Sequence, residues 1–466
     1  MNKKIAVGLI ILGILVVFSV SVLWDSVIIP DDTLEEIVRK KIGKPIGPIY
    51  KSDLEKITLI TEHNRGIKTV KGLEYCKNLK ILALTGNDFS DVTPLSNLEN
   101  LDSLYLDRNN ISDITSLSSL TDLSCLWLEG NTISDITPLS NLTNLTSLCL
   151  ENNNISDITP LSNLENLGTL TLGENNISDI APLGNLCDLS LLFLEENNIS
   201  DITPLSKLEN LTMLLLNDNT ISDVSPLSNL LTLEMLSLGN NTISDVTPLK
   251  PLETLETLWL PENNITDISP LSDLTNLKEL SLDDNIISDI TPLSNLDTLE
   301  MLMLDNNVIS DISPLEPLGT LRMLWLGNNN ITDITPLKHL VNIGGPVKEL
   351  ERRQYTHLNV SHNNITDISP LIDNPGINKG DRIDISGNPL TTESLDLLSE
   401  LEKRGVELTK GLEPNPSVTP HPFYLLVRIS DYFMYLGVFF ITLGLINAGY
   451  CVIKKNLKNR KDNSEQ

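Results

Sequence analysis

Three kinds of residue recur in this chain at spacings that could do chemistry. Carboxylates come first. Asp157 has counterparts at Asp91, Asp113, Asp135, Asp179, Asp201, Asp223, Asp245, Asp267, Asp289, Asp311 and Asp333, all at one constant interval, and again at Asp367. A column of carboxylates about 5 Å apart suggests calcium. Calcium takes six to eight oxygens converging on one point, whereas a straight ladder supplies about two per gap. The local reading is stronger: an Asp in a turn accepts hydrogen bonds from nearby backbone N–H groups. Thiols and imidazoles come second. The five histidines are His63, His339, His357, His362 and His421. His357 and His362 are neighbours, but no cysteine or third histidine accompanies them, so no zinc site is expected. The five cysteines form no even framework. Cys125 and Cys149 fall on adjacent strands two positions out of register, about 8 Å apart at Cα and beyond disulfide reach, so free thiols are expected. Third, Asn154-Ile155-Ser156 is one of many N-glycosylation sequons, conditional on export and on a host with the machinery. No nucleophile elbow, P-loop or dinucleotide fingerprint accompanies these residues, so neither an enzyme nor a cofactor is expected.

The elements that position these residues follow from one repeat. From Leu79 to Asn342 twelve 22-residue units run without insertion or deletion, each close to LxxLxLxxNxIxDIxPLxxLxx. A degenerate unit, Ile57–Asn78, precedes them; Tyr355–Gly376 and a last unit from Gly380 follow a break at 343–354. In LxxLxL the apolar residues keep strand spacing, so Leu148 and Leu150 share a face. One unit cannot bury that face alone, so units must stack. Asn153 and its counterparts can bond the turns of their own and the adjacent coil, because an amide both donates and accepts. TPL reads as a Thr N-cap, Pro at the first helical position and a short helical turn. The predicted fold is an α/β solenoid. It is a curved, right-handed leucine-rich repeat array, with a parallel concave sheet and short helical or 3-10 turns on the convex side.

The unit NxISDITPLSNL resembles the internalin-type leucine-rich repeat of bacterial surface proteins. IPDDTLEEIVRKKIGKPIGPIYKSDLEKIT resembles the helical cap of such arrays, and NPLTTESLDLLSELEKRGVEL their closing unit. The resemblance spans roughly residues 29–409 and implies an interaction module. No immunoglobulin-like domain follows the array and no wall-sorting signal ends the chain, so sortase attachment and host invasion are not implied.

Outside the array lie two apolar segments. Residues 5–23 carry no charge, and Tyr432–Ile453 likewise holds no Asp, Glu, Lys or Arg. The first is long enough for either a signal peptide or an anchor, the second for a membrane helix. Lys3 and Lys4 flank one, KKNLKNRK the other; the positive-inside rule puts both ends in the cytoplasm and the array outside. The expected organisation is therefore a signal or anchor over 1–24, a cap over 29–56 and repeats over 57–409. A Pro-rich spacer over 410–423, a transmembrane helix over 432–453 and a basic cytoplasmic tail over 454–466 follow. Between Leu79 and Asn342 there are 38 acidic and 7 basic residues, a net −31. Such a surface repels nucleic acid and anionic headgroups and favours a basic or uncharged partner.

Counting the first Leu of a unit as position 1, positions 3 and 5 point out of the concave face. They carry Tyr105, Trp127 and Phe193 towards one end and Trp259, Met301, Met303, Met323 and Trp325 towards the other. Asp107, Glu129, Glu151, Glu195, Asp283 and Asp305 make an acidic margin at position 7. Exposed aromatic and Met stripes mark interaction sites, although strand propensity alone also favours aromatics there. Lys348, Arg352 and Arg353 lie in the insertion, which reads equally as a source of contacts of opposite charge or as a tolerated loop or hinge. The sequence reads as a membrane-anchored, non-catalytic surface module holding a protein or glycan. A self-packing envelope component is the alternative, and an intracellular scaffold a third.

Overall fold

The computed structural model describes residues 25–344 and 356–410. The apolar segments at either end, and Lys348, Arg352 and Arg353, lie outside these residues. Among the described residues no helix is long and apolar enough to cross a membrane.

The chain enters through a cap. Strand β1 (Ser26–Val27) pairs antiparallel with β2 (Ile49–Tyr50), and helix α1 (Asp32–Ile42) runs between them, with α2 (Lys51–Leu54) following. The sequence dictates both ends of α1. Asp31 Oδ1 accepts from Leu34 N at 2.9 Å, and Gly43 closes the helix in the left-handed region. Asp31 Oδ2 also accepts from Lys68 N at 2.8 Å, which ties the cap to the first coil. Leu34, Ile37 and Val38 are buried against the end of the array, where its first Leu layer would otherwise meet water.

A 16-stranded parallel sheet follows in chain order, beginning with β3 (Leu59–Thr61). Strands β4 to β15 recur once per unit, from Ile81–Ala83 to Met323–Trp325. Then come β16 (Leu358–Asn359), β17 (Arg382–Asp384) and β18 (Glu407–Thr409). Trp325 pairs with Asn359, so the sheet keeps register across the insertion. Leu and Ile from every coil form one continuous core between the sheet and the opposite turns. The turns after each strand are mostly 3-10, such as Thr159–Leu161; α3 (Ser369–Asp373), after the insertion, is α-helical. Helix α4 (Thr392–Arg404), capped by Thr391 and ended by Gly405, covers the last coil with Leu398 and Leu401.

The expected Thr N-cap is corrected here. Thr159 is the first residue of its turn, and the capping oxygen is Asp157 Oδ1, which accepts from Thr159 N at 2.8 Å. The same bond recurs from Asp91 through Asp367. Each convex Asp thus has a local structural use. Asp113, Asp135, Asp157, Asp201, Asp245, Asp289 and Asp333 are held below the usual carboxylate range, first by the Thr side chain two residues on and then by its backbone N–H.

The Asn ladder links the coils. Asn153 Nδ2 donates to Leu128 O, Leu150 O and Glu151 O at 3.0 to 3.1 Å, while Oδ1 accepts from Ile133 N at 3.0 Å. One amide therefore satisfies backbone groups of its own coil and the coil before it. The turn demands a left-handed residue just before it: Arg108, Asn152, Glu174, Glu196 and Asp218 all have φ between 51° and 56°. Gly86 and Gly130 take the same place in their coils.

Candidate functional site

The concave columns come from a simple division of labour along each strand. Leu at positions 1, 4 and 6 fills the core, which leaves positions 3 and 5 free to vary. Lateral pairing then sets who meets whom. Tyr105 lies beside Trp127, Trp127 beside Cys149, Cys149 beside Thr171, and Thr171 beside Phe193.

At the N-terminal end Tyr105 and Trp127 meet edge to face, with ring centroids 5.3 Å apart and planes at 78°. Trp127 Nε1 donates to Ser147 Oγ at 3.2 Å. Phe193, grouped with them by sequence, is separated from Trp127 by the strands of Cys149 and Thr171. At the other end Met301, Met303 and Met323 form a hydrophobic cluster of their own, separate from the main core, with Trp325 packed against it. Trp325 Nε1 donates to Thr356 O at 2.8 Å, just past the insertion. Trp259 is not part of that cluster; in register it stands between Ser237 and Ser281, both fully covered.

Exposure departs from expectation. Tyr105, Trp127 and Trp325 are half-buried, but Phe193, Trp259, Met301 and Met323 are 2–3 % exposed and Met303 9 %. The columns are thus not a uniformly exposed stripe. Side chains on the inner surface of a curved sheet stand one strand apart, about 4.8 Å, so large residues cover each other and the small ones between them.

The acidic margin is deeper than its sequence suggests. Asp107 is buried, accepting from Glu129 N at 3.0 Å and Thr85 Oγ1 at 3.3 Å, and burial pushes it up to about 7. Glu151 and Glu195 are pushed well up, first by burial and then by neighbouring carboxylates. Arg108 answers part of this charge, with Nε and Nη2 at 3.2 and 2.9 Å from Glu129 Oε1. A second acidic run ends the margin. Asp283 accepts from Ser281 Oγ and Asp305 N, both at 2.9 Å, while Asp305 Oδ2 accepts from Asn359 Nδ2 at 3.0 Å. Burial raises both carboxyls. Gly327 lies in the coil between those of Asp305 and Asn359, and a Cβ there would come within 2.6 Å of Asn359 Nδ2.

Cys76, Cys125, Cys149 and Cys187 are free thiols. Sequence reasoning missed that Cys149 Sγ and carboxylate oxygens of Asp107 and Glu129 lie within 4.8 Å of one another. The signal was there: position 5 of one coil is diagonal to position 7 of the coils before it.

A curved array with this turn chemistry and Asn ladder defines a leucine-rich repeat protein. The family model for leucine-rich repeats (two copies) matches at residues 99–141, 143–185, 209–251, 253–295 and 297–339. The crystal structure of an internalin, InlF of Listeria monocytogenes, superposes with a TM-score of 0.67 at 41 % identity, over 68 % of this chain and 94 % of that one. The chain belongs to the internalin family. The functional domain of InlJ from Listeria monocytogenes shares the fold at 21 % identity (TM-score 0.63, 77 % of this chain, 80 % of that one). So does the ectodomain of the Arabidopsis thaliana receptor kinase GASSHO1/SCHENGEN3, at 20 % identity and TM-score 0.56, over 74 % of this chain and 45 % of that one.

Proposed function

We propose that this protein is a membrane-anchored, non-catalytic binding module of the cell surface. Its ligand is a protein with a neutral or basic face, held along positions 3 and 5 of the concave sheet. The observation that carries this reading is that the aromatic side chains Tyr105, Trp127 and Trp325 stay part-exposed on the concave face, outside the main core. The Leu and Ile ladder closes the solenoid without them, so the fold does not require their apolar surface. The acidic margin beside them favours a basic or uncharged partner and opposes nucleic acid. Support for the anchor comes from the two apolar segments and their basic flanks. Internalin membership supports a surface role, and the family's arrays serve interaction.

Two measurements test this. Protease added to intact cells should trim the array while leaving the segment after Lys454 protected; an untouched array would overturn the topology. Pull-down with the parent and with a Met303→Ala, Trp325→Ala variant of unchanged melting temperature tests the surface. A ligand held by the parent should bind the variant at least tenfold more weakly, as loss of an aromatic anchor costs about 2 kcal/mol. Equal binding by both would remove the concave face from the reading.

A further inference from the structure

We propose that Asp107, Glu129 and Cys149 form a binding site for a zinc-class divalent cation on the concave face, with Glu151 beside them.

The geometry comes from three adjacent strands. Asp107 follows β5 (Ser103–Tyr105), Glu129 follows β6 (Cys125–Trp127), and Cys149 ends β7 (Ser147–Cys149). One thiol sulfur and two carboxylate oxygens, from three coils, lie within 4.8 Å of one another. Tetrahedral zinc with one sulfur and oxygen ligands keeps its donors about 3.3–3.8 Å apart, so rotamer adjustments of about 1 Å close the site. The thiol decides the cation class, since calcium and magnesium take oxygen alone and a sulfur donor selects zinc and its neighbours.

A separate observation concerns Glu151, the neighbour of these donors. Glu195, 2 % exposed, has an Oε2 with no hydrogen-bond partner among the described residues. Its side chain fills the space above Gly173, where a Cβ would come within 2.8 Å of Cδ and Oε1. It thereby leans over a position without a side chain towards Glu151, on whose carboxyl it acts as the strongest neighbouring charge. A buried carboxyl turned towards other carboxyls either keeps its proton or is answered by a cation, and a bound cation would displace that proton. Arg108 pairs directly with Glu129, and from a side chain that is 72 % exposed. Glu129 is 30 % exposed and gives the ion its way in. On binding, the Cys149 S–H bond breaks, the proton leaves to solvent and the sulfur pair bonds the metal, so no redox partner is needed.

The test uses the reduced, metal-free full chain titrated with cobalt(II), whose thiolate complexes show a sulfur-to-metal charge-transfer band. One equivalent should give the band, and zinc should abolish it. Cys149→Ser should remove it, Asp107→Asn should weaken cobalt binding at least tenfold, and Cys125→Ser and Cys187→Ser should leave it. If Cys149→Ser does not fold, the wild type still decides: one equivalent of zinc should slow alkylation of Cys149, mapped by mass spectrometry, at least tenfold. No band, a band that survives Cys149→Ser, or an unchanged alkylation rate would overturn the site. So would many cobalt ions bound without a band, which is counterion condensation on an acidic surface.

Discussion

Asn153 and Asp157 stand close together in the chain and hold the coil in different ways. Asn153 makes its hydrogen bonds to backbone groups that water cannot readily reach. Removing it orphans several at once, each worth about 1–3 kcal/mol. Asp157 caps a turn at the surface, where water replaces it. Asn153→Ala is therefore expected to cost about 3 kcal/mol or more in denaturant unfolding, and Asp157→Ala about 1 kcal/mol. Similar losses for the two would mean that the ladder amide is not what joins the coils. The left-handed position gives the opposite sign. Glu196, at φ 51°, carries a Cβ where none is favoured. Glu196→Gly should raise stability by up to about 1 kcal/mol, and a lower melting temperature would show that its side chain matters more than its backbone.

At the scale of elements, the strands and turns were readable from one period, because LxxLxL and the ladder Asn repeat without slipping over twelve units. The caps were read from their resemblance to those of internalin-type arrays; the structure adds that Asp31 and Thr391 cap the helices that cover the two ends of the stacked core. What the period hid is lateral. Which position-5 side chains cover which depends on sizes across neighbouring coils, a full unit apart in sequence. Trp259 between two serines and the separate Met cluster therefore needed coordinates. Glycine at position 7 is similarly silent in sequence yet consequential in space. Gly327 lets Asp305 reach Asn359 across one strand and past the insertion. Gly327→Ala should displace Asn359, leave Asp305 short of a partner and cost about 1–3 kcal/mol. Hydrogen exchange should then rise in the coils from Leu324 onwards and not in those near Asp107; a uniform rise would argue against a local effect.

Two populations of carboxyl group give the whole molecule opposing pH responses. The convex Asp residues titrate below their unfolded value, so their contribution is full above about pH 4 and is lost as pH falls further. Asp283 and Asp305 titrate above it. Below about pH 4 they contribute nothing relative to the unfolded chain, and their burial costs stability as pH rises towards and past neutrality. Self-repulsion of the acidic array acts in the same direction as the second group. Melting temperature should therefore peak in mild acid, near about pH 5, and fall towards about pH 8. Added salt should recover part of the alkaline loss by screening exposed charges. Asp283→Asn should lessen the alkaline slope without abolishing it, since Asp107, Glu151, Glu195 and Asp305 are raised in the same way; a variant with the parent's slope would show that this carboxyl does not contribute.

The bonds that join coils span a fixed distance along the chain. Asn153 reaches Leu128 and Ile133, 25 and 20 residues back, and Leu170 pairs with Leu148, its counterpart one unit earlier in the sheet. Excising one whole unit leaves the coils at the junction with partners of the same kind, whereas excising half a unit puts those coils out of register. An array of this kind can accordingly lengthen or shorten in whole 22-residue units and keep its fold. Each such event slides one set of concave side chains against another and leaves the two lids where they are. A lineage carrying this array could thus change what its inner surface meets by gain or loss of whole units alone, without a single point mutation passing through an unfolded intermediate.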